Sequence, residues 1–272
     1  MRTIVHLSDV HVGRLDPAIV EPLVASVRSI RPDLVALSGD LTQRARPSQF
    51  REARRIVDAL GCRTLAVPGN HDVPLWNVAA RFVTPFARYR RYIAPDLEPM
   101  YRDEEMIVLG VNTARSFAWG EGRINRAQVR SIVERLAEAP RSLVRIIVTH
   151  HPFDLPPGVG ENRLLGRAHT AMASLASTGA DLFLAGHLHI SHIGHSAERY
   201  RIAQHSALIV QAGTVSTRAR GEQPTFNVLH IERDRIAVSR FASNPAASTF
   251  AETASGSFTR SETGWKPVPV SS

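Results

Sequence analysis

The sequence is poor in several things that would have decided its class at once. It has a single cysteine, Cys62, so no intramolecular disulfide can form and no thiolate cluster can hold a structural metal. Cys62 follows Gly61 at the entry to an apolar run, where a buried, inert thiol is expected, and a reducing compartment fits. Long hydrophobic runs are also missing. No window approaches the length of a membrane span, and the opening "MRTIVHLSDVHVG" is interrupted by His6, Ser8 and Asp9, which a secretory leader's apolar segment does not tolerate. A cytoplasmic protein is the expectation. Lysine is nearly absent: Lys266 is the only one, and the formal charge of +8 comes from arginine. These arginines are dispersed over helix faces and loops, as in "RAQVRSIVERL", so the charge does not by itself mark a nucleic-acid surface, and nucleic acid is not expected as a partner. In "FARYRRYI", residues 86–93, arginines interleave with Tyr89 and Tyr92, which suits a solvated face over packed rings.

What is present is an alternation of apolar runs with amphipathic stretches, the pattern of an α/β layered domain. Strands are expected at "TIVHLS", "DLVALS", "RTLAVP", "MIVLGVN", "LVRIIVTH" and "DLFLAG". Helices are expected at "PAIVEPLVASVRSI" after the Asp16-Pro17 cap, at "PSQFREARRIVDAL", over an aromatic-rich stretch near 75–93, at "RAQVRSIVERLAEA" behind an Asn125/Gln128 capping box, and at "GRAHTAMASLAST". From about Ala207, short β-type runs without helices between them suggest a second, mostly antiparallel sheet. Residues 1–241 are expected to form one domain. Residues 242–272, rich in Ser, Thr, Ala and Gly, read as a poorly ordered tail.

Polar clusters stand where apolar strands end: Asp9 and His11, Asp40, Asn70 and His71, His150, then His187 and His189. The carboxyl ends of parallel strands open onto one edge of a sheet, so five segments should converge there. Carboxylate, carboxamide and imidazole without thiolate select Mn, Fe or Zn. Seven donors are too many for one ion. Two divalent ions sharing Asp40, ~3.5–4 Å apart, would use them and leave His71 for proton chemistry at a phosphorus centre. Asp72 is expected to orient His71 or a ligand, or to stabilise the turn. His187 and His189, two apart, would project to one side of an extended chain. By the same alternation only one of His150 and His151 should reach a metal, and His150 is preferred.

The series Asp9-Val-His11, Gly39-Asp40, Gly69-Asn70-His71-Asp72, His150 and Gly186-His187-Leu188-His189 resembles the signature of the calcineurin-like metallophosphoesterases. The resemblance spans residues 9–189. It implies a four-layer α/β/β/α sandwich of two mixed sheets with the site at one end. It also implies that Asp9, His11, Asp40 and His189 hold one metal, that Asp40, Asn70, His150 and His187 hold the other, and that His71 is the general acid. "SDVH", "GNHD" and "GHLH" are most similar to the bacterial branch that includes cyclic-nucleotide phosphodiesterases and glycerophosphodiesterases.

The expected activity is therefore hydrolysis of a small phosphodiester, a cyclic nucleotide first, by a metal-bridging hydroxide, with Asn70 and the metals offsetting charge on the phosphate oxygens. Alternatives are a pyrophosphatase of a nucleotide-linked lipid precursor, a nuclease, a phosphomonoesterase, or a scaffold without catalysis. Two loops offer substrate contacts: 111–125 with Arg115, Trp119 and Arg123, and 213–225 with Arg218 and Arg220. His192 and His195 are candidates for the entrance. The assembly state is left open, a homodimer included.

Overall fold

In the computed structural model, residues 1–75, 77–117, 120–200 and 205–269 are described. The chain alternates strands and helices in the order β1 (Arg2–Leu7), α1 (Pro17–Ile30), β2 (Leu34–Ser38), α2 (Pro47–Leu60), β3 (Thr64–Val67), α3 (Val78–Val83), α4 (Ala87–Tyr92), β4 (Met100–Arg102), β5 (Met106–Gly110), α5 (Arg126–Ala137), β6 (Val144–Val148), α6 (Ala168–Ala176) and β7 (Leu182–Ala185). There follow β8 (His192–His195), α7 (Ser196–Tyr200), β9 (Leu208–Gln211), β10 (Thr225–Ile231), β11 (Arg235–Asn244), β12 (Thr249–Ser261) and β13 (Gly264–Pro267). The helix starts are the ones their caps dictate. The Asp16 carboxylate accepts from Ala18 N at 3.0 Å ahead of Pro17, and Asn125 and Gln128 exchange side-chain-to-backbone bonds of 2.9 Å each.

Two sheets form. The first has the order β13-β12-β11-β10-β1-β2-β3, parallel over β1, β2 and β3 and antiparallel from β1 outward through β10. The second has the order β4-β5-β6-β7-β9-β8, with four parallel strands between antiparallel edges. Both faces of the central strands are covered, which is why they read as unbroken apolar runs. On β1, Val5 and Leu7 face Leu23, Val27, Phe50 and Ala53 of α1 and α2, while Ile4 turns inward. There it joins Leu34, Val67, Val108, Ile146 and Leu184 in the layer between the sheets. The outer face of the second sheet packs Ile107, Ile147 and Phe183 on Ile132 and Leu136 of α5 and Met172 of α6. The result is the four-layer α/β/β/α sandwich.

Three expectations are corrected. The strands after Ala207 do not make a sheet of their own: β9 pairs parallel with β7 in the second sheet, whereas β10 and β11 extend the first. The helical stretch near 75–93 is two short helices, α3 and α4, separated at Thr84–Phe86; Tyr89 is buried and Tyr92 stacks on Phe50. The tail expected from residue 242 is instead built into the first sheet. β11 runs on to Asn244, β12 pairs along it, and β13 closes the edge. Only a few side chains there must be apolar, because most of β12 faces solvent. Phe250, Phe258 and Trp265 supply the buried contacts, and the Trp265 indole donates to Asp181 Oδ1 at 3.0 Å. Trp265→Ala is therefore expected to lower stability by about 3–5 kcal/mol, a drop of roughly 10 °C in thermal unfolding. An unchanged melting temperature would mean that this edge is not part of the cooperative unit.

Among the described residues no helix is long and apolar enough to cross a membrane.

Candidate metal centre

The carboxyl ends of β1, β2 and β3 in one sheet and of β6 and β7 in the other meet at one end of the sandwich. All seven candidate donors gather there. Their ligand atoms form overlapping groups, each within 4.8 Å: Asp9 with His11 and His189, His11 with Asp40 and His71, Asp9 with Asp40 and His150, and His150 with His151 and His187. Asn70 joins through its Oδ1, 3.1 Å from His150 Nε2.

Close approach of the loops depends on glycine and on left-handed backbone. A Cβ at Gly186 would collide with the Ser8 hydroxyl, and one at Gly69 with the Asp40 carboxylate and amide. Asp9, His11, Asp40, His187 and His189 all have positive φ, between 45° and 72°, a region that Asp and His enter more readily than most side chains. His187 and His189 thus reach the centre through a tight turn and not along an extended strand, as alternation would have had it. The His187 amide donates to Asp9 Oδ2 at 2.8 Å and fixes that turn. His151 also lies inside this cluster. The chain bends after Thr149, so the His151 ring tilts against His187, centroids 4.5 Å apart, with its Nδ1 held by the Thr113 hydroxyl at 2.8 Å.

The electrostatics call for positive charge. Asp40 Oδ2 is buried and has no hydrogen-bond donor; it lies 3.6 Å from His11 Nε2 and 3.4 Å from His150 Nε2. The tautomers are fixed from behind. His150 Nδ1–H donates to Ser38 O at 2.8 Å and His189 Nδ1–H to Arg218 O at 3.0 Å, so both Nε2 lone pairs point inward. His150 Nε2 then faces Asn70 Oδ1 at 3.1 Å and His187 Nδ1 at 3.3 Å, and His189 Nε2 faces Asp9 Oδ1 at 3.0 Å. Acceptors crowded in this way are stable only around a cation or a proton. In the protein alone the proton goes to His150: burial works against its charge, but the Asp40 and Asp9 carboxylates prevail and raise its pKa to about 9. Burial and the charge on His150 push His187 down to about 3. Asp40, despite its burial, is held well below the usual carboxylate range by His150 and His11. The donor set, free of thiolate and rich in inward lone pairs, fits divalent metal.

Around this core the other candidates divide. The His71 amide donates to Asp40 Oδ1 at 2.8 Å; its ring donates from Nδ1 to Gln43 O at 2.9 Å, leaving Nε2 facing the centre. Burial lowers the His71 pKa, with Asp40 opposing it. Asp72 does not touch that ring. It is fully buried and accepts from the amides of Leu41, Thr42 and Gly69 and from the Thr42 hydroxyl, tying the loop after β2 to the loop after β3. Burial and the neighbouring Asp40 raise its pKa to about 7.

Arg218 does reach the centre: its Nη1 is 3.0 Å from His71 Nε2 and 3.3 Å from His11 Nε2. Its loop is anchored by the Thr214 hydroxyl, which donates to Asp9 O at 2.6 Å. Arg220 is exposed. Arg115 is turned elsewhere, donating to Arg123 O and to Gln128 Oε1 of the α5 capping box, and Arg123 is exposed. Trp119 lies outside the described residues. His192 faces Asp154 at 3.4 Å and His195 packs against Phe258. Sequence reasoning missed Thr113, Thr214 and the inward His151. A histidine pair after a strand was the only signal available for any of them.

The family model for calcineurin-like phosphoesterases matches residues 2–191. The chain belongs to that family. Its members use divalent metals, and the His/Asp clusters here fit such a site. Among curated relatives, a probable cyclic nucleotide phosphodiesterase of Synechococcus sp. is 28% identical over 161 residues, 55% of this chain and 58% of the relative. A cAMP/cGMP dual specificity phosphodiesterase of Mycobacterium tuberculosis is 27% identical over 220 residues, 69% of this chain and 62% of the relative. The chain thus spans less than two thirds of the length of either. Among solved structures, a dimetal phosphatase from Danio rerio superposes with a TM-score of 0.64 at 14% identity, covering 87% of this chain and 95% of that one. At that identity the likeness is one of fold.

Proposed function

We propose that the protein hydrolyses a small phosphodiester, cyclic nucleotides first, at a centre of two divalent cations. The observation that carries this reading is Asp40 Oδ2, a buried oxygen without a donor, placed between His11 and His150. Asp9, His11, Asp40 and His189 would hold one ion and Asp40, Asn70, His150 and His187 the other, with Mn, Fe or Zn suited to the donors. Such ions, when bound, acidify water and neutralise charge on phosphate oxygens.

The chain's own groups do the rest. His71 Nε2 faces the centre; with Nδ1–H held on Gln43 O, a second proton taken up at Nε2 would be the one passed to a leaving alkoxide. The Asn70 amide and the Arg218 guanidinium would take phosphate oxygens. Asp72 positions both loops without taking part in proton transfer. The two relatives named as cyclic-nucleotide phosphodiesterases support the substrate class. The lone Cys62 suits a cytoplasmic setting.

Metal-supplied protein should be assayed with cAMP, cGMP, a glycerophosphodiester, a nucleotide-sugar pyrophosphate and single-stranded DNA. The expected result is a cyclic nucleotide opened with the highest kcat/KM; a higher value for the pyrophosphate would reassign the substrate. Arg218→Ala should raise KM about 10–100-fold, the worth of one charge-assisted hydrogen bond to phosphate. Steady-state kinetics with KM and kcat both unchanged would remove Arg218 from the phosphate site.

A further inference from the structure

The signature shared with the family supplies one histidine after β6, and this chain has two in succession. His151 is 1% exposed. The Thr149 hydroxyl donates to its carbonyl at 2.8 Å and holds the bend that carries it inward. Thr113 Oγ1 takes up the polar groups on one side: it accepts the His151 amide at 3.3 Å and Nδ1–H at 2.8 Å. In that tautomer Nε2 presents a lone pair, and this nitrogen is buried without a hydrogen-bond partner. An unbonded polar atom inside a protein lowers stability, and phenylalanine would fill much the same space without one. Packing alone does not call for an imidazole here.

What the lone pair can meet is set by two neighbouring rings. The His151 ring centroid lies 4.5 Å from that of His187 and 4.8 Å from that of His150. One ligand nitrogen from each of the three falls within 4.8 Å of the others, and His150 Nε2 and His187 Nδ1 are already 3.3 Å apart. Imidazole nitrogens about 2.1 Å from a common ion stand roughly 3.0–3.4 Å from one another, the spacing of that pair. We propose that His151 Nε2 is a further ligand of the second ion, which three imidazoles, His150, His151 and His187, then hold. The inference rests on the two-ion reading and adds a donor that the shared signature lacks. It also makes the two sites unequal. The first, with Asp9, His11, Asp40 and His189, is half carboxylate, whereas nitrogen dominates the second. Oxygen donors suit manganese and imidazoles suit zinc, so the preference for zinc is larger at the second site.

The test is calorimetric titration of the metal-stripped full-length chain with zinc and, separately, with manganese. Wild-type protein should take two ions. His151→Phe should lose zinc affinity at one of the two sites by more than about 100-fold, beyond the roughly 10–100-fold that follows loss of a group merely supporting a ligand. Manganese affinity at that site should fall less, and thermal unfolding of the metal-free variant should be unchanged or higher. His151→Gln, which keeps a polar side chain, should show the same zinc loss. If neither variant folds, proton NMR of the cobalt-loaded wild type decides. A shifted, exchangeable ring N–H signal is then expected from each of His11, His150, His151, His187 and His189, and one signal fewer would exclude His151. Wild-type zinc affinity at both sites in the variants, a loss within about 100-fold, a manganese loss as large as the zinc loss, or an equal loss at both sites with a lower melting temperature each overturns the proposal. The two readings fail separately. Two ions held as tightly without His151 reject the further ligand and keep the two-ion centre. A single ion in the wild type that is lost with His151 rejects the two-ion centre and keeps the ligand, and no ion at all rejects both.

Discussion

Asp40→Ala is expected to abolish metal retention, with the metal content measured by mass spectrometry falling from two ions per chain towards none. Hydrolysis should fall at least about 10³-fold, since several kcal/mol of charge stabilisation go with the ions. No other single replacement should do as much. Among the described residues Asp40 is the one carboxylate whose free, buried oxygen lies between imidazoles of both proposed ligand sets, and its second oxygen accepts the His71 amide. Asp40→Asn separates these duties. It keeps an oxygen for the amide and loses the charge, so metal content should fall while thermal unfolding changes less than in the alanine variant. Two ions retained by Asp40→Ala would rule out the shared carboxylate.

The second large effect is kinetic. His71→Ala should keep both ions and lose about 10²–10⁴ in kcat on an alkyl diester, with a much smaller loss on a p-nitrophenyl diester, whose leaving group needs no proton. Metal content should survive because His71 holds Asp40 through its backbone amide, which alanine retains, and not through its ring. Equal losses on both substrates would assign the ring to binding and not to proton transfer.

Much of this was legible in the chain. The long helices α1 and α2 begin at the prolines that follow Asp16 and Arg46, and they end where a left-handed residue, Arg31 or Gly61, closes them. The seven candidate donors stand out because each follows within four residues of a strand buried on both faces, where a polar residue has no packing reason to be. What could not be read depends on partners far away in sequence. Arg218 enters the centre because Thr214 fastens its loop to Asp9, and His151 stays because Thr113 and Gly122 close over it. β12 and β13 were hidden for another reason. An outer strand with most of its side chains in water needs few apolar residues, so its composition resembles that of a flexible end.

Four of the seven donors, Asp9, His11, Asp40 and Asn70, hang from the first sheet, and three, His150, His187 and His189, hang from the second. On the proposed reading the centre would therefore also be a clasp across the seam of the sandwich. Losing one donor should then be felt twice, as slower chemistry and as weaker cohesion between the halves, and the cohesion should vary with how much cation the surroundings provide.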